Sequence, residues 1–217
     1  MVKINKSEKP GEINRDEDYR KGPVFCALVN DCFRKCYLCE IKLSAFNVEH
    51  IVPRSTKPEL AHEWSNLLLA CPHCNGIKND KYDNILNCTE VDPEDVISIK
   101  YEPYPMFKLE FGVKEVDEPL ATQGRLTAEL LNMIFTVPPT DLKFHEAEEL
   151  RRILINDMLE FTWRLLCYKN ASVDRNKQIY LASVSEHIVR SSQFAAIKRA
   201  VVRNPHFEHK ELMAELD

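Results

Sequence analysis

Two pairs of cysteines with the spacing of metal ligands enclose a glutamate–histidine dipeptide in this sequence. The pairs are Cys36/Cys39 and Cys71/Cys74, and the dipeptide Glu49-His50 lies between them. Each C-x-x-C pair can supply two thiolates to one ion, and two pairs complete the tetrahedral shell of a structural zinc. A closed four-thiolate site performs no chemistry, so we expect it to hold a small folding unit together.

The polar residues beside these cysteines could hydrolyse a phosphodiester bond. Such a reaction needs a water that loses its proton near neutral pH, and a cation that neutralises the charge building up on the phosphate. His50 is a suitable proton acceptor, because the reference pKa of histidine is about 6.5. Glu49 and Asn75 offer oxygen ligands that would hold Mg²⁺ or Mn²⁺. The residue types therefore predict a hydrolytic site next to the zinc.

The segment from about residue 36 to residue 81 resembles the HNH endonuclease family, in which a ββα-metal finger carries the catalytic groups. The resemblance implies that His50 is the general base, that Glu49 helps to hold the catalytic metal, and that Asn66 orients the His loop or the imidazole. Asn75 stands where many members have histidine, which favours magnesium or manganese over a softer ion. The residues that carry the resemblance are Cys36-x-x-Cys39, Glu49-His50-Ile51-Val52-Pro53, Asn66-Leu67 and Cys71-x-x-Cys74-Asn75-x-x-Lys78.

Some residues offer alternative ligands for the zinc. Cys32 lies four residues before Cys36, and His73 lies inside the second cysteine pair. Either could replace a cysteine, although the two C-x-x-C pairs form the simpler set. The remaining cysteines lack such pairing and are expected to be small apolar residues, mostly buried; they are Cys26, Cys88 and Cys167.

Basic residues near the finger are candidates for contacts with phosphate. We predict that Arg54, Lys78 and Lys81 contact phosphate, although Lys78 and Lys81 could equally form a solvated surface with Asp80. In the second half of the chain two further basic groups could meet either phosphate or an acidic partner. They are Arg151-Arg152 and the set Lys198, Arg199 and Arg203.

The charge balance argues against tight binding of DNA by this chain alone. Its 29 Lys and Arg residues and 34 Asp and Glu residues give a net charge of −5, whereas proteins that bind duplex DNA unaided normally present a basic surface. A partner subunit could supply the binding to DNA. The opening residues 1–6 lack an apolar signal segment and no apolar run could cross a bilayer, so we expect a cytoplasmic protein with reduced thiols.

The hydrophobic pattern predicts an α+β fold with a mainly α-helical C-terminal region, and the resemblance implies that its N-terminal part is a ββα-metal (HNH) finger held by the four-cysteine zinc site. The predicted units are an N-terminal arm (1–25), an HNH nuclease domain (26–90), a short strand or hairpin segment (91–120) and a helical region (121–217). In the first half we predict a helix over 23–33, a helix after Asn75, and strands over 96–101 and 106–111 with a turn at 103–105. In the second half we predict a helix around 126–134 that ends at Pro138-Pro139 and a long helix from Thr140-Asp141. Two further helices are predicted over 174–187 and 191–203, the last ended by Asn204-Pro205.

A looser resemblance covers most of the chain and concerns one branch of HNH proteins. Trp64-x-Asn66-Leu67-Leu68-Leu69 before the second cysteine pair, with the helical tail, is similar to the nuclease subunits of Septu anti-phage systems. Related HNH proteins accompany certain retrons. The resemblance implies phage or plasmid DNA as the substrate and an ATPase subunit of the ABC/SMC-like type (PtuA-like) as the partner. A retron RNA with its reverse transcriptase is a further candidate partner, and no membrane is implied.

Three other functions remain open at this point. A stand-alone HNH restriction or nicking enzyme would be active without a partner, which the acidic composition disfavours. A non-catalytic zinc-finger module would bind protein or nucleic acid and would not depend on His50. RNA is a possible substrate of the same chemistry, although the sequence has no cluster of aromatic residues for base stacking of the RRM type.

Overall fold

Helices and two small antiparallel sheets build the molecule. The structure is a computed structural model, and it describes residues 1–102, 107–136, 140–204 and 210–216. In chain order the elements are α1 (Asp16–Arg20), α2 (Gly22–Asp31), β1 (Asn47–His50), β2 (Leu67–Ala70), α3 (Pro72–Lys78), α4 (Pro93–Val96), β3 (Ile97–Glu102), β4 (Lys108–Val113), α5 (Leu120–Phe135), α6 (Asp141–Asn170), α7 (Asp174–Ile188), α8 (Ala195–Val202) and α9 (Lys210–Ala214). The predicted α+β class is confirmed.

Strands β1 and β2 and helix α3 form the predicted ββα unit. The strands pair antiparallel, with His50 opposite Leu67, and all four residues of β2 are buried. Helix α3 begins earlier than predicted, at Pro72 and not after Asn75. Cys71 explains the early start, because its sulfur accepts a hydrogen bond from the backbone N–H of Cys74 and so caps the helix, with proline at the first helical position.

A long connection, residues 51–66, joins β1 to β2, and we call it the His loop. It contains two short 3₁₀ turns, Pro58–Leu60 and Trp64–Asn66. The backbone N–H of Ile51 donates to the carbonyl of Asn66 at 3.0 Å, which closes the loop at its base. The loop therefore starts and ends beside the predicted catalytic histidine.

The second half of the chain matches the predicted elements closely. Strands β3 and β4 pair antiparallel from Ile97 opposite Val113 to Glu102 opposite Lys108, each shifted by one or two residues from the prediction. Helix α6 begins after Thr140, whose hydroxyl accepts from the N–H of Lys143, as the sequence predicts. The predicted turn at 103–105, the helix stop at 138–139 and Pro205 lie outside the described residues. None of the helices in the described ranges has both the length and the apolar character needed to cross a membrane.

The buried apolar side chains of the described residues form one main cluster that crosses the predicted unit boundaries. It includes Met1 and Ile4 in the segment predicted to be an arm, and Leu212 and Leu216 at the other end of the chain. That first segment also contains α1, which the sequence did not predict. The division into four units stays a prediction, and the packing across it is continuous.

Helix α8 brings its basic residues into the interior. Lys198 pairs with Asp157 at 2.6 Å, and Arg199 and Arg203 pair with the two carboxylate oxygens of Glu94 at 2.5 and 2.6 Å. Lys198 and Arg199 are fully buried. Of the two expected partners, phosphate or an acid, the structure gives all three residues an acid within the chain, and burial excludes phosphate for Lys198 and Arg199.

Truncating the shared carboxylate of this cluster should destabilise the fold. Glu94→Ala leaves the buried Arg199 without a counter-charge, and we expect the free energy of unfolding to fall by about 3 kcal/mol. Urea denaturation followed by circular dichroism measures this change. Glu115→Ala is the control, because Glu115 is exposed. Its free energy of unfolding should stay within about 0.5 kcal/mol of wild type.

Candidate active site

The four cysteines predicted to bind zinc lie together. Their sulfur atoms are all within 4.8 Å of one another and all four residues are buried. The first pair sits on a tight turn in which the N–H of Glu40 donates to the carbonyl of Cys36 at 2.9 Å. Glu40 has a left-handed backbone (φ 63°), and its buried carboxylate accepts from the N–H of Ala196 at 3.0 Å, which holds the turn against helix α8.

The cysteine cluster needs a cation to become a set of thiolates. Burial raises the pKa of Cys39 and Cys74 well above the usual value for a thiol, so without a positive ion these two side chains stay protonated. A divalent ion reverses this balance by stabilising the deprotonated sulfur. Four buried sulfurs in a closed group are the donor set of a structural zinc, so the residues fit that ion.

The two alternative zinc ligands lie outside the cluster. Cys32 is a buried thiol whose pKa is raised to about 11 by burial. The ring nitrogens of His73 are both engaged elsewhere, Nδ1 with a carboxylate oxygen of Glu146 and Nε2 with the carbonyl of Ile134, each at 2.9 Å. His73 therefore joins α3 to helices α5 and α6 and does not face the sulfurs.

His50 is the last residue of β1 and is only 8% exposed. Its Nε2 lies 2.9 Å from the carbonyl oxygen of Ala61 in the His loop. A carbonyl oxygen can only accept, so the neutral ring carries its proton on Nε2 and leaves Nδ1 as the proton acceptor. Burial lowers the pKa of His50, although the bond to Ala61 opposes this, so the imidazole is neutral at pH 7.

Glu49 precedes His50 and faces Lys78 of helix α3. The Nζ of Lys78 donates to a carboxylate oxygen of Glu49 at 2.8 Å and to the carbonyl of His50 at 2.9 Å. Burial raises the pKa of Glu49, and the positive charge of Lys78 opposes the rise. Lys78 is completely buried, which differs from the predicted phosphate contact. The reason is that α3 packs against β1 and directs this lysine towards the strand.

Asn75 lies in the middle of α3 and is half-buried. Its side-chain amide makes no hydrogen bond within the part of the chain that the structure describes, so its oxygen is available to a ligand. The other two predicted phosphate contacts are both accessible. Arg54 is bound to Asp16 at 2.9 Å, and Lys81 lies 3.8 Å from Glu129 with both side chains exposed.

Asn66 makes three hydrogen bonds to the His loop. Its side-chain oxygen accepts from the N–H of Val52 at 2.8 Å, and its side-chain nitrogen donates to the carbonyls of Val52 and Leu60 at 3.0 and 3.1 Å. Asn66 is predicted to contact either the His loop or the imidazole. All three bonds are to the His loop. Asn66 thus connects the two arms of the loop that carries Ala61, the partner of His50.

Replacing Asn66 should loosen the His loop. Asn66→Ala removes the three bonds and leaves buried backbone groups unpaired, so we expect a loss of about 2 kcal/mol in stability and a melting temperature lower by about 5 °C. Differential scanning calorimetry measures the shift. Asn84→Ala is the control, because Asn84 is an exposed asparagine with a single side-chain bond. Equal melting temperatures for the two variants would contradict the anchoring role.

Helix α1, which the sequence did not predict, contributes two residues to the surroundings of His50. The ring of Tyr19 meets the imidazole edge to face, with centroids 5.8 Å apart. Asp16 binds Arg54 and lies 3.4 Å from His62, both in the His loop. No spacing rule connects residues 16 and 19 to residues 50–62, so sequence reasoning had no signal for these contacts.

Comparison with known proteins agrees with this geometry. Residues 36–81 match the family model described as HNH endonuclease, and the ββα unit and the cysteine cluster lie within this match. Over 93 residues the chain is 33% identical to Septu protein PtuB of Bacillus thuringiensis. The match covers 40% of this chain and 36% of that relative, so the chain spans little more than a third of the relative's length. No solved structure gave a significant match.

Proposed function

We propose that this protein is a metal-dependent HNH endonuclease that hydrolyses phosphodiester bonds of DNA, and that it is the nuclease subunit of an anti-phage defence complex controlled by an ATPase partner. One observation supports the proposal that the protein is catalytic. The Glu49-His50 dipeptide lies at the end of strand β1, and the loop that follows it is held by Asn66 and binds the imidazole through Ala61.

His50 acts as the general base in this proposal. The ring is neutral at pH 7 and its Nε2 is engaged with Ala61, so Nδ1 accepts the proton of the attacking water. The bond to Ala61 fixes the orientation of the ring, and Asn66 fixes the loop that supplies this carbonyl. The base therefore needs no rearrangement of its own tautomer before it accepts a proton.

Glu49 and Asn75 would hold the catalytic cation. A carboxylate and an amide are hard oxygen donors, and this donor set fits Mg²⁺ or Mn²⁺. When bound, the cation would neutralise charge that develops on the phosphate. Lys78 binds one oxygen of Glu49, which leaves the other oxygen for the cation. The cysteine cluster would hold a structural zinc, and Arg54 and Lys81 would contact phosphate.

The similarity to Septu protein PtuB supports the defence role, and the net charge of −5 supports dependence on a partner. A chain without an excess of basic residues gains little affinity from counterion release on DNA. An ABC/SMC-like ATPase subunit would supply the missing contacts with DNA and would control cleavage, in the cytoplasm where phage DNA is present.

The test is cleavage of supercoiled plasmid DNA in the presence of Mg²⁺ or Mn²⁺, with and without the proposed ATPase partner. We expect nicked or linear DNA from wild type together with the ATPase, and none from His50→Ala. Cleavage by the chain alone would instead indicate a stand-alone nuclease. Cleavage of RNA but not DNA would change the substrate, and identical behaviour of wild type and His50→Ala would indicate a non-catalytic zinc module.

A further inference from the structure

The carboxylate of Asp16 is surrounded by donors from the His loop. Its Oδ2 lies 2.9 Å from a guanidinium nitrogen of Arg54, and its Oδ1 lies 3.4 Å from Nε2 of His62. Arg20 of the same helix approaches Oδ2 at 3.5 Å. An arginine and a histidine that converge on one anionic group also form the donor set that binds a phosphodiester.

Helix α1 covers the predicted base at the same time. The buried ring of Tyr19 contacts the imidazole of His50, with a centroid distance of 5.8 Å, and that of His62 at 6.2 Å. His50 is almost inaccessible in this arrangement. A scissile phosphate cannot approach the ring from this side while α1 stays in place.

We propose that Arg54 and His62 form a binding subsite for a backbone phosphate of the substrate nucleic acid, and that Asp16 occupies this subsite as an internal phosphate mimic until the substrate arrives. The inference rests on the proposed nuclease function. A phosphate that binds Arg54 displaces the Asp16 carboxylate, α1 loses its attachment to the His loop, and Tyr19 leaves His50. Binding of the backbone and exposure of the base are then one event.

The ion pairs of Asp16 are weak enough for a substrate to displace, whereas exposure of the buried Tyr19 ring must be driven by the binding of the nucleic acid. The side chain of Asp16 is 33% exposed and that of Arg54 is 48% exposed, and ion pairs of this kind contribute little net stability. Helix α1 has only five residues. A nucleic acid that contacts several basic groups at once can therefore compete successfully with a single carboxylate.

Binding of a fluorescein-labelled DNA duplex, followed by anisotropy in a His50→Ala background with the proposed ATPase partner present, tests the inference. Asp16→Asn should tighten binding about fivefold, because the mimic loses its charge. Glu17→Gln is the matched control, since Glu17 is an exposed acid on the same short helix with the same change in net charge. We expect the control to stay within about twofold of its parent.

Substitution of Arg54 completes a double-mutant cycle with Asp16. Arg54→Gln should weaken binding and reduce the salt dependence by about one phosphate contact, and Asp16→Asn should have no further effect when Arg54 is absent. Equal tightening by Asp16→Asn and Glu17→Gln, or additive effects of Asp16→Asn and Arg54→Gln, would overturn the inference.

The outcomes also separate this inference from the proposed function. Suppose that wild type cleaves plasmid with the proposed ATPase partner but Asp16→Asn and Glu17→Gln have equal DNA affinities. This result would refute the role of Asp16 as a phosphate mimic and support the proposed nuclease function. If no variant cleaves or binds DNA even with the proposed ATPase partner present, the proposed function and this inference are both refuted. Zinc content, measured by mass spectrometry, should be the same in all variants, because α1 does not contribute to the cysteine cluster.

Discussion

Replacement of His50 by alanine is expected to lower the rate of DNA cleavage by about 10²- to 10⁴-fold, which is the usual contribution of a positioned general base. The variant loses the nitrogen that accepts the proton of water, but it keeps the cysteine cluster and the three bonds of Asn66. Single-turnover cleavage of a labelled duplex, with the ATPase present, measures the chemical step directly.

Two controls distinguish loss of catalysis from loss of structure. His145→Ala removes an exposed histidine of helix α6 and should leave the rate unchanged. Metal content and the far-ultraviolet circular dichroism of His50→Ala should match those of wild type. A His50→Ala protein that cleaves at more than about one tenth of the wild-type rate would assign the proton transfer to another group.

The pH profile of wild type gives a further test of the base. Burial lowers the pKa of His50 below its ordinary value, and the neutral ring is the active form. The value of kcat/KM should therefore rise with pH, reach half of its plateau below pH 6.5, and be constant near pH 7. A half-point well above 6.5 would contradict the environment described for this imidazole.

Loss of the metal from the cysteine cluster is expected to unfold the HNH domain. Apparent binding energies of structural zinc in small domains are about 10 to 16 kcal/mol, comparable to or larger than the total stability of most proteins. Cys74→Ser removes one ligand and leaves three buried sulfurs, while the backbone N–H of residue 74 that caps α3 at Cys71 is unchanged. We expect a protein with less than one equivalent of zinc and without a cooperative thermal transition.

Cys26→Ser is the control for this experiment, because Cys26 is exposed and lies outside the cluster. It should bind one equivalent of zinc and melt at the wild-type temperature. Treatment of wild type with a zinc chelator should reproduce the behaviour of Cys74→Ser, and return of zinc should restore the transition. A metal-free wild-type protein that melts normally would show that packing alone holds the four cysteines together.

The parts of the site that the sequence predicted are those governed by local chemistry. Two C-x-x-C pairs have few uses in a chain with reduced thiols, so the cluster of four sulfurs followed directly from spacing. The hydrophobic repeats predicted α5 and α6 because each has a buried stripe along its length. The cap at Thr140 predicted the start of α6 for the same local reason.

The remaining features depend on distant contacts that no local pattern encodes. Lys78 follows the finger as one member of a charged run, and only the packing of α3 against β1 places it on Glu49. The basic residues of α8 look exposed in the sequence, but Glu94 and Asp157 draw them inwards across about 100 and 40 residues of chain. Tyr19 and Asp16 reach the His loop in the same way. Contacts between residues far apart in the sequence thus account for the differences between prediction and structure.

The continuous core limits how residues 26–90 can be transferred to another protein. Glu40, next to the first cysteine pair, accepts a hydrogen bond from α8, and Lys35 donates to the carbonyls of Arg190 and Ser192. The segment around the cysteine cluster therefore packs against α8 and the residues just before it, so it cannot be excised with its contacts intact. Grafting residues 26–90 onto another protein would leave Glu40 and Lys35 without these partners, so a functional chimera must carry the helical half with it.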